Sequence, residues 1–265
     1  MPKSTLETNY PWTKTPVLVS APMLNIAMPS LAVSVFSAGG LGFLAAGYDV
    51  SSLEPNLQEA VGKVDRPDAA LHKRYCESGI LPIGVGFLNW GADIKLSIWV
   101  QVGTVAETIS VAEALHPDAL VVQGLDAGGH GLALSASVLT LVPESHIPIL
   151  TAGGIVDGRG IAASLALGSS GLSWALNEAL RWSEVRGIVR WLDQYDGRGV
   201  INKSYADAAA RGTPNEGDSG WGPNGRLTTY AGTGVGLITE TLSATEIVEQ
   251  SLNHARDVLK GLAAH

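Results

Sequence analysis

Cysteine is almost missing from this chain. Cys76 stands alone among 265 residues, so no internal disulfide can form and a reducing setting is expected. Positive charge is the scarcer sign: 17 Lys and Arg face 25 Asp and Glu, for a formal net charge of −8. That balance argues against nonspecific attachment to nucleic acid or to an anionic membrane surface. Aromatic residues are few, at 6%. No apolar run is long enough to span a bilayer, and the stretch from Met1 to Tyr10 lacks the apolar core of a signal peptide. The expectation is a cytoplasmic protein with no nucleic-acid or membrane partner.

Several motifs are also wanting. Gly220 to Leu227 (GWGPNGRL) has the glycine spacing of a P-loop but not the Lys and Ser/Thr that hold phosphate and magnesium. Gly84-Val85-Gly86 follows an apolar run, yet Asn89 stands where a dinucleotide fingerprint needs its third glycine. The six histidines show no metal-ligand spacing with the cysteine or with one another, so no metal is expected. A Gly-x-Ser-x-Gly elbow is absent, which argues against a serine hydrolase.

What is present is apolar and regular. The chain is 46% hydrophobic and contains 32 glycines, enough to bury a sizeable core. Short apolar runs at 16–23, 41–46, 81–87, 98–102, 119–124, 147–152 and 172–176 read as strands. Their apolar character throughout indicates a parallel sheet covered on both faces. Helical patterns fall between them: 29–38, a helix from about 53, 105–115 capped by Thr104 with Glu107 three residues on, 133–142, and 161–167. Residues 62–79 read as a loop or weak helix. The alternation predicts an α/β fold, a (β/α)8 TIM barrel spanning 1–265 as one domain. Only about seven strands are recognisable, so the barrel is expected to be incomplete. The linker 88–97 is at the lower limit for a helical crossover. A glycine-rich loop and a final helix, capped by Ser243 with Glu246 at its third position, occupy about 212–265.

The chain is organised around residues 119–131, an apolar strand that breaks into Gln123-Gly124-Leu125-Asp126-Ala127-Gly128-Gly129-His130-Gly131. Another strand ends in the same manner at Ala152-Gly153-Gly154. In α/β proteins such glycine-rich carboxyl ends are where ligands sit, because a rigid sheet holds the side chains while the backbone comes close to the ligand.

The stretches PVLVSAPM, GGLGFLAAG, LPIGVGF, QGLDAGGHG and ILTAGGIVDGRGIAASLALG, over roughly residues 16–171, resemble the nitronate monooxygenase family, once called 2-nitropropane dioxygenases. The resemblance implies a barrel that holds FMN without a metal and oxidises nitronates or nitroalkanes with O2 to carbonyl compounds. It places Pro22 and Met23 against the flavin ring, Asn89 and Gln123 on its polar edge, and Gly128, Gly129, Gly153 and Gly154 along its ribityl and phosphate portion. His130 would face the substrate as a base, or as a cationic or hydrogen-bonding partner. Alternative readings are a flavin-dependent enoyl-thioester reductase and a noncatalytic remnant.

Two departures bear on these expectations. Where the family carries a Met-Gly-Thr-Arg-Phe-like run that completes its phosphate cradle, this chain has Ser173-Trp174-Ala175-Leu176. The family also has extra segments where Ser97 meets Ile98 and between Leu180 and Glu184. The chain is therefore expected to hold FMN weakly, and its open sheet edges to favour poor solubility or homo-oligomers.

Overall fold

The computed structural model describes residues 5–24, 26–47, 50–64, 70–87, 98–141, 145–174, 195–203, 220, 224–225 and 230–264. Nine strands lie among them. They are β1 (Val17–Ser20), β2 (Phe43–Gly47), β3 (Gly84–Phe87), β4 (Trp99–Val102), β5 (Ala119–Gln123), β6 (Gly129–Leu132), β7 (Ile149–Ala152), β8 (Gly171–Trp174) and β9 (Tyr195–Arg198). Eight α-helices accompany them: α1 (Thr5–Asn9), α2 (Pro29–Ser37), α3 (Leu53–Val64), α4 (Ala70–Ser78), α5 (Val105–Leu115), α6 (Val138–Leu141), α7 (Gly158–Ala166) and α8 (Ala244–Ala263).

All seven strands read from the sequence are present and run parallel. β4, β5, β7, β8 and β1 form one sheet in that order, and β2 pairs with β3 in a second. A parallel bridge between Val19 and Leu41 joins the two, with Ser20 N donating to Leu41 O at 3.1 Å. The strands thus follow one another round a barrel in chain order, as in a (β/α)8 fold. The ring is open between β3 and β4, which are not hydrogen-bonded among the described residues. That opening falls at the short 88–97 linker, where the sequence leaves too little chain for a full helix-strand-helix unit.

Alternation along each strand sorts the core into two layers. Val17, Val19, Leu41, Ala119 and Leu150 fill the inside with Phe43, Trp99 and Val121. Leu6 of α1 is 1% exposed and closes this cluster together with Tyr10 and Trp12. The opposite faces meet the helices: Leu18 and Leu172 pack with Leu31, Val35, Ile161, Val248 and Leu252 of α2, α7 and α8. α8 begins with a full capping box between Ser243 and Glu246, as the sequence pattern implies. It lies tightly on α7, where a Cβ on Gly158 would sit 2.2 Å from Ala255 N.

Other elements differ from the sequence reading. Residues 133–142 give a single helical turn at 138–141, because Leu125 N donates to Ala136 O and Val138 N to Asp126 Oδ2, tying this stretch to the β5 turn. The loop or weak helix expected at 62–79 resolves into the end of α3 and a second helix, α4. α1 and the antiparallel pair β6–β9 carry too few residues to show a period.

Candidate functional site

The carboxyl ends of the central strands hold a layer of small and amide-bearing side chains. Gln123, Ala152, Ser173 and Val19 are laddered partners across β5, β7, β8 and β1, so they point to one side of the sheet. Gln101 Nε2 donates to Gln123 Oε1 at 3.1 Å, and Gln123 Nε2 donates to the His130 carbonyl at 3.3 Å. At the end of β1, Pro22 lies against Gly86 of β3, where an added Cβ would come within 2.2 Å of the proline ring. Met23 is half-buried in a turn whose carbonyl accepts from Ile26 N and Ala27 N. Asn89 lies outside the described residues.

The Gly-Gly-His-Gly segment is not a plain loop. It pairs antiparallel with β9, His130 opposite Gly197 and Gly129 opposite Arg198. Alternation gives this two-stranded ribbon two faces. One carries Gly129, Gly131 and Arg198, and Gln123 packs there: a Cβ on Gly131 would lie 2.6 Å from an Arg198 Nη and 2.9 Å from Gln123 Oε1. Arg198 also donates to the Leu132 carbonyl. The other face carries the His130 imidazole, whose Nε2 lies 3.4 Å from Tyr230 Oη. Their ring centroids are 5.1 Å apart, with planes at 54°. Gln123 and His130 are therefore brought together, but through the His130 backbone, with their side chains on opposite faces of the ribbon.

Of the four glycines read as ligand contacts, Gly128, Gly153 and Gly154 are used for chain-to-chain approach, whereas a Cβ on Gly129, with φ +80°, would meet nothing within 4 Å. A Cβ on Gly128 would lie 2.6 Å from Ala231 C and Gly232 N. At Gly153, with φ +113°, it would lie 2.7 Å from Ala127 N, and at Gly154, with φ +69°, 2.8 Å from Asp126 Cβ. Asp126 accepts from Thr233 through both its backbone carbonyl, at 3.0 Å, and Oδ1, at 3.2 Å. The 230–237 segment is thereby laid over the β5 and β7 turns. Sequence reasoning missed Gln101, Arg198 and Tyr230. A glutamine inside the apolar run Ile98-Trp99-Val100-Gln101-Val102 was a visible signal for the first; nothing local marks the other two. Among the described residues no group of three or more His, Cys, Asp or Glu could hold a metal ion.

The fold and the site define an α/β barrel of the parallel, chain-order kind, with its polar groups gathered where the strands end. Comparison with known proteins places it further. A family profile for nitronate monooxygenase matches residues 92–175. The nitronate monooxygenase npaC of Metarhizium robertsii is 32% identical over 353 aligned positions, covering 99% of this chain and 97% of the relative. The chain belongs to the nitronate monooxygenase family, a family of oxidoreductases. The aligned length exceeds the 265 residues present here, so stretches of that relative have no counterpart in this chain. In fold, the chain is similar to FabK from Thermotoga maritima, with a TM-score of 0.71 at 20% identity, covering 100% of this chain and 99% of that one. It is also similar to a nitroalkane oxidase from Streptomyces ansochromogenes, with a TM-score of 0.67 at 20% identity, covering 96% and 99%. No described helix is long and apolar enough to cross a membrane.

Proposed function

We infer that this chain oxidises nitronates and nitroalkanes with O2 to carbonyl compounds, using FMN held at the carboxyl ends of the strands. The observation that carries the reading is the Gln123-to-His130 segment, which sets an oriented amide at the end of β5 and an imidazole on β6, in a chain of this family. Bound flavin would supply the electron transfer between substrate and oxygen. The residues fit its ring. Ala152 and Ser173 place small side chains at the ends of β7 and β8, Pro22 and Met23 offer an apolar wall, and Gln123 offers a donor and an acceptor to a polar edge. His130 takes the proton from carbon in a neutral nitroalkane, or faces the anionic nitronate as a cation or hydrogen-bond donor, since imidazole titrates near neutral pH.

The phosphate end fits less well. The Asp126 side chain lies against Gly154, and a dianion placed on that turn meets a carboxylate. Each hydrogen bond to a charged group that is not made costs about 1.5–3 kcal/mol, so losing two weakens binding by roughly two to four decades. The chain is expected to purify mostly without flavin and to take it up at high FMN concentration.

The test is reconstitution with FMN, followed by turnover of a nitronate, a neutral nitroalkane and, separately, an enoyl thioester with NAD(P)H. Nitronate-dependent O2 consumption is the expected result, and His130→Asn should lower turnover of the neutral nitroalkane about 10²-fold or more while flavin stays bound. Absence of the visible flavin bands after reconstitution, or enoyl reduction without nitronate oxidation, overturns the reading.

A further inference from the structure

We propose that Tyr230 is the positioning residue of His130, holding its imidazole in one orientation in either protonation state. The proposal rests on the reading of His130 as the group that acts on substrate, and it adds a residue about 100 positions away in the chain.

The hydroxyl of Tyr230 lies 3.4 Å from His130 Nε2. A phenol is both donor and acceptor, so it can donate to a bare Nε2 and accept from a protonated one. With Tyr230 at Nε2, the nitrogen left to take a proton from carbon is Nδ1. The neutral base is then the tautomer protonated at Nε2, whose N–H donates to the phenol oxygen before and after the transfer, so the ring keeps its place through the cycle. The tilted ring contact, with centroids 5.1 Å apart, limits rotation of the imidazole about its second side-chain torsion.

Tyr230 is itself fixed from both sides. It forms an antiparallel bridge with Gly199, and the next residue, Ala231, donates its N–H to Arg198 O at 3.3 Å. Three residues on, Thr233 is bound to the Asp126 carbonyl and carboxylate. One anchor is therefore the strand paired with His130, and the other is the turn that leads into His130. The strand partner directly opposite His130 is Gly197. A Cβ there would lie 3.0 Å from the Tyr230 ring and 3.5 Å from His130 Nε2, so glycine at this position is what leaves the pair its space.

The experiment combines a double-mutant cycle with a spectrum that needs no activity. In FMN-reconstituted protein, Tyr230→Phe keeps the ring and removes the hydroxyl. It should lower kcat on the neutral nitroalkane about threefold to tenfold, the range of one net hydrogen bond, with KM little changed. In the His130→Asn background the same change should have no further effect, because the group it positions is gone. With isotope-labelled histidine, the His130 Nε2 resonance is the one missing from His130→Asn. It should move in Tyr230→Phe and in Gly197→Ala, while the His254 signals, whose Nδ1 accepts from Gly158 N, stay in place. An unmoved His130 resonance in Tyr230→Phe, or an equal loss of kcat in both backgrounds, overturns the proposal. If His130→Asn itself leaves kcat unchanged, the reading of His130 as catalytic fails instead, and a resonance that still moves shows the contact surviving without that role.

Discussion

Gln101 holds Gln123 by a hydrogen bond of 3.1 Å between their side-chain amides, tying the ends of β4 and β5 together at the barrel mouth. With its oxygen taken by Gln101 and its nitrogen donating to the His130 carbonyl, the Gln123 amide is fixed against flipping. Replacing Gln101 by Leu removes this constraint and leaves the Gln123 oxygen one donor short. The expected outcome is an FMN dissociation constant raised about twofold to tenfold, the worth of one net hydrogen bond. Titration of apoprotein with FMN measures it, and an unchanged constant would show that Gln101 does not serve the flavin site.

Because the Gln123 amide and the His130 imidazole lie on opposite faces of the β6–β9 ribbon, their side chains do separate jobs. Gln123→Leu should weaken flavin binding, and His130→Asn should slow proton abstraction from carbon. The two effects should add, to within about 0.5 kcal/mol, in the double variant. Strong non-additivity in kcat/KM would mean that both side chains meet the same bound molecule.

Asp157 caps α7: its Oδ1 accepts from Arg159 N at 2.9 Å and Gly160 N at 3.4 Å, and its Oδ2 from Arg159 Nε at 2.8 Å. Burial pushes its pKa up, but the Arg159 side chain, these backbone donors and the Arg159 charge outweigh it and hold the carboxyl below its ordinary value. A lowered folded pKa gives stability that is present above the unfolded value near 3.9 and is lost as pH falls through the folded one. Asp157→Asn, which keeps an acceptor but cannot titrate, should flatten the melting temperature against pH below about pH 4. Asp157→Ala should cost about 1 kcal/mol at neutral pH through loss of the cap. Parallel acid limbs in wild type and Asp157→Asn would remove Asp157 from the account.

The ladder's open side predicts association. β3 and β4 each have a single strand partner among the described residues, and unpaired strand edges recruit other chains. Light scattering over a dilution series should show homo-oligomers or self-association, and a sharp, concentration-independent monomer would contradict this.

The barrel was legible because most of its parallel strands are buried on both faces, which leaves apolar runs in the sequence; β3 and β4, beside the opening, are less covered. Caps were legible too, at Thr104, where Oγ1 accepts from Glu107 N, and at Ser243, since both depend on residues three apart. Gln123 and His130 stood out as polar groups at a strand end. Pairings that span long distances in the chain were not legible. β9 carries no period and meets β6 only because the fold returns it there, so Arg198 and Tyr230 had no local sign. The glycines at 128, 153 and 154 were found, but their immediate neighbours are other turns of this chain. A missing Cβ looks the same in sequence whether backbone or ligand fills the space.

The β1–β8 ladder, Val17 to Ser20 against Gly171 to Trp174, has a consequence for how the molecule could be divided. β2 and β3 pair within the first third of the chain, and β4, β5, β7 and β8 pair within the middle. Among the described residues, backbone pairing between these two groups of strands runs through β1 and β8, since β3 and β4 are not paired there. A polypeptide cut in the 88–97 linker would yield two fragments, each with its own strands intact and one matching edge apiece. Mixed together, they have the β1–β8 zipper, the packing of α2 on α8 and the Tyr10–Trp99 and Phe43–Trp99 ring contacts by which to find each other. This makes the chain a candidate for fragment complementation.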